Sequence, residues 1–360
     1  MEPKTIRWGI LATGEIAQTF TKDLLVDPST RNVTTIKHTV VAAASSSGSA
    51  RAQSFLTTPP TPHSHHYRNV KLCLESGKNV LCEKAFTVNA AQAAELVRIA
   101  RDKDLFLMEA LWTRYFPLSV YVRQAITQGR LGTIMRAFAD SSLDLSPEQS
   151  FGPDHRMVSP ALAGGALLDM GIYSLTWIFQ TLYTTQSSEE RERAPPPTVV
   201  SSVQKYSLTG VDETVSMLLT FPRDTEFGGD MHGVATTGFC VPNDGTKGEL
   251  QVWPPIYWST RTRLAAADGT VEDKTWTQPG PGRGSNWFNG YSIAGRNPEG
   301  EGYGMFWEAD EAGLALVEGR KEGRSFGLDE SVLIMEIMDK VREQNGLVYP
   351  EEIEATDRTT

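Results

Sequence analysis

Cysteine is scarce, and its spacing excludes two kinds of scaffold. Cys73, Cys82 and Cys240 are the chain's 3 cysteines, with no CxxC among them. Neither a disulfide framework nor a structural zinc site is expected from such a set. Long apolar runs are lacking as well. None approaches the ~20 residues that span a bilayer, and the opening Met-Glu-Pro-Lys carries no apolar signal core. No membrane partner is therefore expected, and the default location is cytoplasmic. Basic clusters are also missing, since 34 Lys and Arg stand against 44 Asp and Glu for a net charge of −10. A phosphate-backbone ligand needs a basic face, which argues against nucleic acid as a partner. Internal repeats are absent, and glycine and proline concentrate in loops, so the chain is neither fibrous nor of low complexity.

What is present is length and alternation. At about 150 residues per domain, 360 residues suggest two domains. Residues 6–11 read as a buried strand, 12–17 as a tight turn into a helix ending near 25, and 39–44 as a second β-rich run. A short helix over 49–56 follows, then a helix over 65–76 with Gly77 as its C-cap. A strand at 79–82, a helix over 90–103 capped by Asn89, and a strand at 105–108 complete the pattern. Strands alternating with helices at this spacing indicate a parallel, doubly wound sheet. Beyond residue 133 the strands lengthen, at 133–143, 198–206, 214–221 and 249–253. A helix over 166–182 interrupts them, and a helix over 330–344 presents an apolar face to a core. The expected architecture is an α/β Rossmann-like domain over 1–132. An α+β domain with an open, mostly antiparallel sheet would follow over 133–360.

Several strings carry chemistry. Ala12-Thr13-Gly14-Glu-Ile16-Ala17 follows a strand and opens a helix, the context of a dinucleotide fingerprint. Gly14 would let the backbone approach a pyrophosphate at the helix N-terminus, although Ala12 replaces the first glycine. An ordinary strand–helix turn is the competing reading. Ser45, Ser46 and Arg51 follow the second strand where an NAD site usually places an acid. Hydroxyls and an arginine suit a 2′-phosphate instead, hence NADP; a capped helix with a surface arginine would look the same. Glu83 and Lys84 stand at the carboxyl edge of the sheet, where ligands bind in such folds. Asp169 and Tyr173 are four residues apart and share one helical face. A phenol titrates near pH ~10 and is a poor base until a nearby ammonium stabilises its phenolate. Trp112 and Arg114 leave the last Rossmann strand and suit a wall around nicotinamide and substrate, or core packing. His63, His65 and His66 lack the spacing of a zinc site, so no metal is expected.

These strings together resemble the glucose-fructose oxidoreductase / inositol dehydrogenase / rhizopine catabolism (Gfo/Idh/MocA) family. Within it they are most similar to the branch of NADP-dependent D-xylose 1-dehydrogenases and dimeric dihydrodiol dehydrogenases. The segments 8–14, 61–66, 77–87, 108–117, 164–173 and 304–310 carry the likeness. The resemblance implies an oxidoreductase in which Lys84, Asp169 and Tyr173 are catalytic. It also implies that Thr61, Pro62 and His66 line the cofactor, that Trp112 and Arg114 wall it, and that the chain forms a homodimer. The implied reaction is hydride transfer between NADP and the anomeric carbon of an aldose, D-xylose first, or a related cyclic diol. A weakened dinucleotide-binding regulator and a carbonyl reductase of specialised metabolism remain as alternatives.

One departure stands out. Relatives carry a helix and a buried strand between the helix ending near Leu56 and Thr61, which would need roughly 25–30 residues. Only Thr57-Thr-Pro-Pro60 is available, and prolines cannot donate to a replacement ladder. Either the strand at 79–82 moves in beside 6–11, or the sheet is gapped.

Overall fold

A computed structural model describes residues 2–11, 15–44, 62–240, 250–252, 261–265, 270–276 and 304–356. In chain order the principal elements begin with β1 (Lys4–Leu11), α1 (Glu15–Leu24), β2 (Ile36–Ala44), α2 (His66–Glu75) and β3 (Val80–Glu83). They continue with α3 (Ala90–Asp102), β4 (Leu107–Ala110), α4 (Pro117–Thr127), β5 (Arg136–Ser142) and α5 (Ile172–Leu182). Six strands follow, β6 (Thr198–Lys205), β7 (Asp212–Phe221), β8 (Met231–Gly238), β9 (Leu250–Val252), β10 (Arg261–Ala265) and β11 (Val271–Thr275). The helices α6 (Phe306–Glu318) and α7 (Leu328–Asn345) close the series. The chain divides into two compact units, each discontinuous in sequence.

The first unit comprises Met1–Glu83, Leu96–Phe116 and Thr277–Leu328. Its parallel strands fall into two separate pairs, β1 with β2 and β3 with β4. Among the described residues no ladder joins the pairs, and the strand at 80–83 does not move in beside β1. Strands that would be central elsewhere are open here, with Leu11 46% and Val41 50% exposed.

Side chains fasten the β1–β2 pair instead. The indole of Trp8 donates to His38 Nδ1 at 3.0 Å, and His38 Nε2 meets Asp310 Oδ1 at 2.9 Å. Arg31, fully buried, grips the same carboxylate through Nε and through Nη2 at 2.7 Å, and lies 4.6 Å above the Phe306 ring. The 304–310 string therefore serves as an anchor for β1 and β2. Gly313 permits the contact, since a Cβ there would come within 2.9 Å of Ile36.

Two boundaries moved. Asn79 Oδ1 takes the amide of Phe106, and the amide of Leu105 closes the end of α3 on Ala100. The last Rossmann strand accordingly starts at Leu107 rather than 105, and β3 reaches Glu83. The expected helix over 49–56 and the turn at 12–14 lie outside the described residues.

The second unit comprises Lys84–Glu95, Pro117–Trp276 and Asp329–Thr360. Its main sheet runs β5-β8-β7-β6, with β5 and β8 parallel and the other neighbours antiparallel. β8 escaped the sequence pattern because its inward positions include Gly233 and Ala235, too small to mark an alternation. Gly233 is required for packing, since a Cβ there would stand 2.4 Å from Ile178 on α5. The strand expected at 249–253 is β9 of a separate sheet ordered β11-β10-β9. One correction concerns apolar runs. Residues Pro160–Leu182 are long and apolar enough to cross a membrane, yet 89% of that window is buried inside the protein. It is a core helix, and Met170 joins Met157, Val158, Tyr206, Val211 and Phe239 in the cluster beneath it.

Candidate active site

Three expected side chains converge within the second unit. Lys84 follows the end of β3, and its peptide bond to Ala85 is cis. Its Nζ donates to the carbonyl oxygen of Asp169 at 2.6 Å and to Asp169 Oδ1 at 3.1 Å. The same ammonium lies 5.0 Å from the centre of the Tyr173 ring. Asp169 sits in a π-helical turn, Leu167–Gly171, that feeds directly into α5. Such wide turns recur at functional sites because they re-aim side chains without breaking the helix. Asp169 and Tyr173 are 9% and 8% exposed. The Lys84–Asp169 pair is thus mostly shielded from water, where an ion pair orients its members firmly.

Sequence reasoning missed two neighbours. Arg156 Nη1 approaches Asp169 Oδ1 at 3.4 Å, so the carboxylate lies between two cations. His155 stacks on Phe151 with ring centres 4.4 Å apart, and burial with the nearby Arg156 holds its imidazole below the usual pKa. The aromatic, imidazole and guanidinium just ahead of the Gly164-Gly165 pair were the available signal.

The cofactor candidates divide. Ala12, Thr13, Gly14, Ser45, Ser46, Arg51 and Thr61 lie outside the described residues. Ile16 is half-buried in the first turn of α1. Pro62 precedes the 3-10 turn His63–His65, and His66 opens α2, buried, with its ring edge-on to His63 at 5.7 Å. Glu83 ends β3. Trp112 and Arg114 share the buried 3-10 turn Trp112–Tyr115. Arg114 donates to the Ser325 carbonyl at 2.8 Å and lies 4.8 Å above the Phe326 ring.

The fit to a dinucleotide rests on β1, α1 and β2. β1 runs parallel to β2 and leads into a helix whose first turn begins at Glu15, so free amides and the positive dipole end face the strand's carboxyl edge. That arrangement suits a pyrophosphate, and the residues fit the group there.

A parallel βαβ unit in the first unit and a shielded Lys–Asp–Tyr cluster in the second are the features of nicotinamide-dependent oxidoreductases. Residues 6–111 match the oxidoreductase family with an NAD-binding Rossmann fold, and 120–251 match the GFO/IDH/MocA C-terminal domain. The chain belongs to the GFO/IDH/MocA oxidoreductase family. It is 44% identical to the D-xylose 1-dehydrogenase (NADP(+)) of Hypocrea jecorina, covering 97% of this chain and 94% of that one. That alignment runs over 392 positions, longer than the chain itself, so the relative holds residues this chain lacks. It is 33% identical to the trans-1,2-dihydrobenzene-1,2-diol dehydrogenase of Bos taurus, over 96% of this chain and 99% of that one. In fold it is similar to the aldose-aldose oxidoreductase of Caulobacter crescentus, with a TM-score of 0.67 and 16% identity over 95% of this chain and 97% of that one.

Proposed function

We propose that this protein is an NADP-dependent dehydrogenase acting on the anomeric carbon of an aldose, D-xylose first, or on a related cyclic diol. The observation that carries this reading is the contact of Lys84 with both Asp169 and the Tyr173 ring. The likeness to D-xylose 1-dehydrogenase supports the substrate class and the cofactor. A nicotinamide dinucleotide, when bound, supplies the hydride acceptor, held by the turn at Gly14 and, at its 2′-phosphate, by Ser45, Ser46 and Arg51. Tyr173 takes the proton of the substrate hydroxyl. Lys84 holds that hydroxyl and favours the phenolate, while Asp169 keeps the ammonium in place. Positioning and a tuned base are the contributions such a site can make. Incubation with NADP and a panel of aldoses tests this. Growth of reduced-nicotinamide absorbance is expected with D-xylose, and none with any aldose or diol would contradict it.

The separate strand pairs favour a second reading, a catalytically weakened dinucleotide-binding regulator. Titration with NADP separates the two, because binding without turnover supports the regulator.

Self-association belongs to the same proposal. On the outward face of the main sheet, Phe138, Val234, Leu218 and Val200 stand in register across all four strands. Phe138, Leu218 and Val200 are 61%, 51% and 70% exposed. An apolar row of this kind marks a surface that another protein covers, and a second copy of this chain is the proposed occupant.

A further inference from the structure

Asp212 is the most deeply buried carboxylate near the candidate site, and the reaction does not consume it. It opens β7, is 1% exposed, and its Oδ2 accepts the amide of Leu167 at 2.5 Å. The amide of Ala166 points to the same carboxylate. Leu167 is the first residue of the π-helical turn that bears Asp169, and Tyr173 follows one turn later. The contact is built for closeness. Gly165 adopts φ +126°, and a Cβ there would fall 2.1 Å from Asp212 Oδ1. Among the described residues Oδ1 itself has no hydrogen-bond partner.

We infer that Asp212 is a positioning residue, whose ionised carboxylate fixes the start of the π-helical turn and thereby sets Asp169 and Tyr173 against Lys84. A carboxylate can hold two amides at once and complements the positive end of the helix, whereas the neutral acid has weaker acceptors and a proton to place.

The surroundings make this anchor responsive to pH. Burial pushes the Asp212 carboxyl up to about 7, opposed by the amides of Leu167 and Ala166 and by the Arg342 guanidinium. The charged groups facing it from α7 and the following segment are few. Arg342 lies 4.3 Å over the Tyr349 ring and is bound to Glu354, with Asp339 beside it. Tyr349 donates to the Gly164 carbonyl at 3.2 Å, and its phenol is pushed far up by burial and by Asp212, so it stays neutral. Burial also raises the Asp339 carboxyl, opposed by the amide of Ala90 and by Arg342, while Asp212 is raised to about 7.

The inference rests on the proposed dehydrogenase reading, and the experiment has one arm that does not. Asp212→Asn keeps the shape and one acceptor but cannot ionise. With NADP and D-xylose, wild-type kcat should rise through pH about 7 to a plateau. The variant should lack that limb and sit about 10²-fold below the plateau, the scale of a small misplacement of catalytic groups. A retained limb or an unchanged plateau would overturn the inference. In the arm without cofactor, hydrogen exchange is followed in the peptide spanning 160–175 for wild type and variant. The ratio of protection should be near unity at pH 5.5 and grow several-fold by pH 8.5. A ratio independent of pH would overturn the positioning role even if no substrate is turned over. Gly165→Ala, which crowds the same oxygen, should reproduce the loss of protection, and full protection in that variant would count equally against it.

Discussion

At the residue scale, single side chains determine the outcome in both units. Tyr173→Phe removes the proposed proton acceptor and should lower kcat by about 10²–10⁴-fold, the usual worth of a general base, while leaving the thermal midpoint nearly unchanged. Steady-state assays beside calorimetry check both halves. Asp310→Ala would strand the fully buried Arg31 and unhook His38. A loss of about 3–5 kcal/mol is expected, measurable by urea unfolding. The pH dependence of stability has a definite sign at Asp212. Its folded carboxyl keeps a proton up to about pH 7, whereas the unfolded one releases it near 3.8. The stability it contributes is therefore fully present below the lower value and is lost as pH rises through the upper one. Asp212→Asn should flatten the melting profile between pH 4 and 7. An unchanged slope would remove Asp212 as its cause.

At the element scale, the legibility of the fold depended on where periodicity was written. Strands and helices in the N-terminal third of the chain could be read because apolar runs and caps such as Asn89, whose Oδ1 takes the amide of Gln92, bound each element. Asp169 and Tyr173 were readable as one face because helical spacing is local. The π-helical turn, β8 and Asp212 were not. A π turn has no residue code, β8 packs small residues inward, and Asp212 reaches 45 residues back to a backbone amide that any side chain could carry. The gap was legible as a shortage of residues, and its outcome depended on long-range pairing. Among the described residues β1 is paired on one side, with β2, whereas β7 is paired on both sides. Amides of 4–11 should therefore exchange with deuterium well before those of 212–221, as expected of open strands. Equal protection would mean that another segment fills the edge. On the main sheet, Phe138→Asp should abolish self-association while sparing the fold, with light scattering reporting the mass.

At the scale of the whole molecule, the two units carry different burdens. The second is fully supplied, holding the Lys84–Asp169–Tyr173 cluster, its flanking cations and the buried helix that presents them. The first holds the dinucleotide-binding fold, with two separate strand pairs among its described residues. The Hypocrea jecorina relative aligns over more positions than this chain contains. The balance between those burdens decides whether the site turns over. The direct measurement is reduced-nicotinamide formation from NADP and D-xylose by wild type and Tyr173→Phe, followed side by side at pH 8. Turnover by wild type and its loss by about 10²-fold or more in the variant is the expected result. Equal rates in the two proteins, or no turnover by wild type at saturating NADP, would contradict the role assigned to Lys84, Asp169 and Tyr173.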